Sequence, residues 1–125
     1  MTLVLDAAAL IALERNERPM WTRLKASVQL GEPPVTHGGV VGQAWRGGPR
    51  QAPLSTALAG IDVKPLDRDL GRLAGELLAL CGLSDVIDAA LAQLAVDGDE
   101  IVTSDREDME VLLAATGQHV ELLRP

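Results

Sequence analysis

The 125-residue chain contains no Phe and no Tyr, and only two Trp. Binding of single-stranded nucleic acid on stacking platforms needs exposed aromatic faces, so a protein that works mainly in that way is excluded. There is one cysteine, Cys81. A lone thiol rules out an intramolecular disulfide and a CxxC zinc site, and it fits a reducing, cytoplasmic setting. No stretch of the sequence is long and apolar enough to span a membrane, and no charged segment precedes an apolar one near Met1; neither a membrane anchor nor an export signal is expected. Positive charge is also scarce, with 11 Lys and Arg against 18 Asp and Glu for a net charge of −7. Such a surface offers no extended footprint for phosphate backbone. Any polyanion has to be met locally.

What is present is aliphatic. Apolar residues make up 47% of the chain, enough for one core of Leu, Ala, Val and Ile in a single domain spanning residues 1–125. The run Leu3-Val4-Leu5 reads as a short strand buried on both faces, and Asp6 as the cap of a helix from Ala7 to about Glu14. A second helix follows Pro19 and stops near Gly31. After Val35-Thr36, a third runs from about Val40 to Trp45, ended by Gly47-Gly48-Pro49. Gln51 to Leu58 is a fourth helix, with Pro53 in its first turn, and Ile61 to Pro65 is a strand. Asp67 then caps an amphipathic helix in which Leu70, Leu73, Ala74, Leu77, Leu78 and Cys81 share a face, closed by Gly82. Ser84 is expected to cap the next helix, Ile101 to Thr103 forms a strand, Asp105 caps a helix ending at Gly117, and Val120 to Leu123 is the last strand. Alternating strands and helices predict an α/β fold with a mostly parallel sheet of about five strands, covered on both faces.

The acids fall in a pattern. In an open α/β sheet the ligand crevice lies beyond the carboxyl ends of the strands, so Asp6 and Asp105, each following a strand, face one side of the molecule. Asp85 and Asp88, three residues apart, share a helix face. Each of Asp6, Asp67 and Asp105 taken alone also reads as a helix cap, whereas Asp88 is expected a full turn inside its helix, where a cap has no role. Four acids brought together are tolerated only if some are protonated or a cation lies between them. Carboxylates with water suit Mg²⁺ or Mn²⁺.

The segments LVLDAAALIAL, SDVIDAALAQLA, IVTSD and GQHVELL resemble, in order and spacing, the PIN domain, and in particular its short VapC-type toxins. The resemblance covers essentially the whole chain. It implies a PIN-like parallel-sheet fold and a Mg²⁺- or Mn²⁺-dependent endoribonuclease, the toxin of a type II toxin–antitoxin pair. Its expected partners are RNA, a cognate antitoxin and a second copy of itself. It places the catalytic and metal-holding acids on Asp6, Asp88 and Asp105, with Thr103 and Ser104 in the small hydroxyl positions beside the last of these. The family's remaining acid, a Glu in a stretch resembling AEVWR, corresponds here to Gln43 at the pocket rim. Gln keeps the length but loses the charge, so the alternative is a catalytically weakened PIN-like binding module. Asp85, one turn before Asp88, is a candidate to restore the missing charge.

Charge is distributed unevenly. From Pro33 to Ile61 there is no acid, while Arg46, Arg50 and His37 lie within; Arg46 and Arg50, with Arg106 next to Asp105, are the candidate RNA contacts. Cys81 is expected in the core, His37 and His119 at the surface or in loops, Trp21 and Trp45 in packing. Asp97, Asp99 and Glu100 are expected in a solvated turn. A phosphoacceptor receiver domain would share the length and acidity, but it needs paired acids after the first strand and a late Lys. Asp6 stands alone there, and no Lys follows Lys64.

Overall fold

The computed structural model describes all of residues 1–125. Its elements, in chain order, are β1 (Leu3–Leu5), α1 (Ala7–Glu14), α2 (Arg18–Gln29), β2 (Val35–His37), α3 (Gly38–Ala44), a 3₁₀ turn (Pro49–Gln51), α4 (Ala52–Leu58), β3 (Asp62–Lys64), α5 (Arg68–Cys81), α6 (Val86–Leu94), β4 (Glu100–Val102), α7 (Arg106–Thr116) and β5 (Glu121–Leu123). All five strands are parallel, in the order β3-β2-β1-β4-β5.

The strands are three residues long, so little of the fold's stability comes from the ladder itself. Burial of the central pair matters more. Val4, Leu5, Ile101 and Val102 are fully buried, as an apolar run covered on both faces should be. The cover comes from two helix groups: α1 packs against α2, α3 and α4, while α5, α6 and α7 pack on one another. Leu10, Leu13, Met20 and Leu54 from the first group, and Ala74, Leu91, Met109 and Leu112 from the second, belong to one continuous core. No single helix is long and apolar enough to cross a membrane.

The helix boundaries follow local chemistry. Asp67 accepts from the Leu70 N–H at 3.0 Å to start α5, and Gly82, at φ 67°, ends it by donating to the Leu78 carbonyl. That left-handed conformation is why a glycine stands there. Ser84 is not the cap of α6. Asp85 is, its Oδ1 accepting from the N–H groups of Ile87 and Asp88 at 2.9 and 3.1 Å, so the helix starts one residue later than a Ser84 cap implies and Asp88 lies in its first turn. The third helix begins at Gly38 rather than Val40, because the His37 ring supplies its cap.

Several side chains depart from the expected pattern. Leu73 is half exposed although it shares the spacing of the α5 stripe, and Trp45, at 39% exposure, lies at the surface rather than in the core. Trp21 is partly buried and donates its indole N–H to the Leu13 carbonyl at 3.1 Å. Asp99 is buried: its carboxylate accepts from the Thr2 and Val96 N–H groups, both at 3.0 Å, and ties the N-terminal ends of β1 and β4 together. His119 is exposed, as expected, and Cys81 is partly buried against the core.

Candidate active site

Strand order reverses between β1 and β4, since β2 and β3 lie to one side and β5 to the other. The carboxyl ends of two strands diverging in this way open a crevice. Asp6 is the residue after β1, and its backbone N–H donates to the Val102 carbonyl at the end of β4. Its carboxylate is buried yet fully partnered: Oδ1 accepts from the Ala9 N–H as the cap of α1, and Oδ2 accepts from the Ser104 N–H, both at 3.1 Å. Each oxygen retains a lone pair. Thr103, also buried, accepts from the Asp105 N–H at 3.0 Å through Oγ1. The small hydroxyl positions therefore shape the turn that carries Asp105.

Asp85 and Asp105 are built alike. Each caps a helix by accepting from the N–H three residues on, and in each case that residue is a second acid: Asp88 for Asp85 at 3.1 Å, Asp108 for Asp105 at 3.4 Å. Both helix starts thus present an Asp-x-x-Asp pair to one crevice. The result is felt most by Asp88, whose carboxyl is raised to about 6. Partial burial removes solvent from the charge, and Asp85, Asp105, Asp6 and Asp108 add like charge in that order. None of these five acids forms an ion pair with Lys, Arg or His. Asp108 is the member sequence reasoning missed, although its spacing from Asp105 repeats that of Asp85 and Asp88.

No three acid, His or Cys side chains stand close enough to close around one ion in this conformation. The donor chemistry nonetheless fits a hard divalent cation, being entirely carboxylate oxygen and without a cationic partner. Asp6, Asp88 and Asp105 are the residues that would hold it, with Asp85 beside them.

His37 lies under this site, not at the surface. It is fully buried; Nδ1 accepts from the Gly39 N–H at 3.1 Å, and Nε2 lies 2.9 Å from the Ile87 carbonyl. A carbonyl only accepts, so Nε2 carries the proton and the ring is neutral. Desolvation lowers its pKa below 6.5, outweighing the opposite pull of the Ile87 carbonyl. His37 therefore adds no positive charge to the acid-free segment. It joins the end of β2 to the turn of α6 that bears Asp88. Gly39 sits close alongside: a Cβ there would lie 2.9 Å from Cε1 of the fixed His37 ring and 2.5 Å from the tip of the Ile87 side chain, so one of them would have to move.

The remaining candidates fall elsewhere. Gln43 is exposed and lines a cleft with Ile11, Glu14 and Arg15 from α1 and with Arg46 and Arg50. Arg106 lines a separate pocket with Thr103 and Ser104 and pairs with Glu110 at 2.9 Å.

No family model and no curated protein sequence matches the chain. Among solved structures, the chain is similar to one from the crystal structure of VapBC2 from Rickettsia felis bound to a DNA fragment from their promoter. The TM-score is 0.68, with 14% identity over 98% of this chain and 99% of that one. At that identity the likeness is one of fold. It extends end to end, and the PIN-like α/β architecture implied by the sequence motifs is the architecture found.

Proposed function

We propose that the protein is a Mg²⁺- or Mn²⁺-dependent endoribonuclease and the toxin of a toxin–antitoxin pair, acting in the cytoplasm. The observation that carries this reading is the unpaired acidic crevice at the switch point, where partial burial, and after it the like charge of Asp85, Asp105, Asp6 and Asp108, push the Asp88 carboxyl up to about 6. The likeness in fold to a chain of a VapBC2 complex supports the pairing with an antitoxin.

In this reading a divalent cation, when bound, neutralises phosphoryl charge and lowers the pKa of water. Asp6, Asp88 and Asp105 would hold it. Asp6 is fixed by its two backbone donors, so it contributes a charge that does not reorient. The proton of the attacking water would pass to a crevice carboxylate left free of the ion. Thr103 and Ser104 position the acids rather than react. A second copy of the chain is the expected companion, and Leu73, Leu80 and Val96, exposed around a groove beside α5 and α6, supply apolar surface for it.

The test is cleavage of total RNA by the purified chain with Mg²⁺ or Mn²⁺, with chelator, and with Asp6→Asn. Cleavage that needs the ion and disappears in the variant is expected. Cleavage indifferent to both overturns the reading.

The wide spacing of the acids and the neutral Gln43 favour a second reading, a weakened PIN-like module that binds without turnover. It predicts RNA binding with no cleavage under any divalent ion.

A further inference from the structure

The cleft lined by Gln43 has a volume of about 600 Å³ and lies between the second half of α1 and the loop after α3. Its walls carry three arginines, Arg15, Arg46 and Arg50, against one acid, Glu14. None of the three is paired with a carboxylate. In a chain of net charge −7, this is a local reversal of sign.

The cleft is built, not incidental. Gly47 and Gly48 adopt φ of 80° and 91°, a conformation that turns the chain back after Arg46 and brings Arg50 to the same wall. Gln51 locks that turn from below. It is buried, and its side-chain amide is saturated: Oε1 accepts from the Arg46 and Gly47 N–H groups at 2.7 and 2.8 Å. Its Nε2 donates to the Ala44 carbonyl at 2.8 Å and to Glu14 at 2.6 Å. The one acid is thereby tethered to an amide and held off the guanidinium groups. Arg46 bends over the end of α3, donating through Nη1 to the Gly42 and Trp45 carbonyls, which fixes its remaining donors in place. Arg15 and Arg50 keep theirs free.

The position relates the cleft to the acids. Asp6 caps the start of α1 and Arg15 its end, so at 1.5 Å per residue they are separated by about 13 Å along the axis. That is the reach of about four stacked nucleotides at ~3.4 Å each. Ile11, on the same wall, lies between them.

We infer that the Arg15–Arg46–Arg50 cleft is a phosphate-binding subsite that holds the RNA strand a few nucleotides from the bond at the acidic crevice. The inference rests on the ribonuclease reading for the identity of the strand. Guanidinium forks match phosphate oxygens in pairs. Among the lining residues only Ile11 and Ala44 are hydrophobic, so the cleft lacks the aromatic and large aliphatic anchors on which a protein partner depends.

The test is binding of a fluorescein-labelled, single-stranded oligouridine in chelator, followed by anisotropy across a salt series. Wild type is compared with Arg15→Ala, Arg50→Ala and the double variant. Arg72→Ala, on α5 in the other helix group, controls for charge alone. Each phosphate contact contributes about 0.7 to the slope of log K against log salt. The double variant is expected to flatten the slope by about 1.4 and to weaken binding at least tenfold at low salt, with Arg72→Ala near wild type. Equal affinity and slope in wild type and the double variant overturn the inference. So does a polyglutamate peptide that binds wild type more tightly than the RNA does, which would assign the cleft to an acidic protein segment. If binding depends on the arginines but no ion supports cleavage, the subsite stands and the nuclease reading fails.

Discussion

The Asp6 carboxylate accepts from the Ser104 backbone N–H across 98 residues of sequence, at 3.1 Å. One side chain thus closes the start of α1 and fixes the turn that leads to Asp105. Asp6→Asn keeps one oxygen but turns an amide N–H toward a backbone donor, so one of the two bonds is lost. We expect a loss of about 1–3 kcal/mol in urea denaturation, together with loss of divalent-ion binding. Unchanged stability would mean that the bond contributes nothing.

Asp88 gives the pH dependence. Its carboxyl is near 6 when folded against 3.8 ordinarily, so between these values the native state binds more protons than the unfolded chain. Stability contributed here falls as pH rises from about 4 to about 6 and is flat above. Asp88→Asn should remove that slope and raise the melting temperature at pH 7. Mn²⁺ should raise the wild-type melting temperature more at pH 7 than at pH 5, because at pH 5 a proton occupies the site.

His37 acts with the opposite sign. Its pKa is lowered from 6.5, so as pH falls below 6.5 the unfolded chain takes up a proton first and stability is lost. Nitrogen-15 shifts of the ring should report a neutral Nε2–H tautomer at pH 7. His37→Ala leaves the Gly39 N–H uncapped and opens a cavity, with an expected cost of about 2–4 kcal/mol in denaturant melts.

Gln51→Ala should cost about 1–3 kcal/mol through the buried donors and acceptors it strands. Gln51→Glu should cost more, because an oxygen then faces Glu14 and the Ala44 carbonyl. Amide exchange at Arg46 and Gly47 should accelerate in both.

Much of this fold is legible in the sequence because its signals are local. Leu3-Val4-Leu5 before Asp6, the α5 stripe between Asp67 and Gly82, and the turn at Gly117 each mark an element by composition alone. Asp6 and Asp105 read as neighbours because a parallel sheet sends the residues after its strands to one edge, and Asp85 and Asp88 because their spacing puts them on one turn of a helix. What was not legible depends on distant partners. His37 reads as a loop residue until Ile87, 50 positions on, supplies its acceptor. Asp99 reads as part of a solvated turn until Thr2 donates to it. Gln51 has no sequence signal at all, since its amide is used up by Glu14 and by three backbone groups around a glycine turn. Ser84 and Asp85 are both good caps, and only the hydrogen bonds decide between them.

The central claim is that the carboxylates around Asp88 form a divalent-cation site. Calorimetric titration of the chelator-treated protein with Mn²⁺, beside Asp88→Asn, tests it without knowledge of the RNA target. Saturable binding in the wild type that is lost in Asp88→Asn is predicted. Absence of binding in both, or equal binding in both, would contradict it and leave these acids as helix caps.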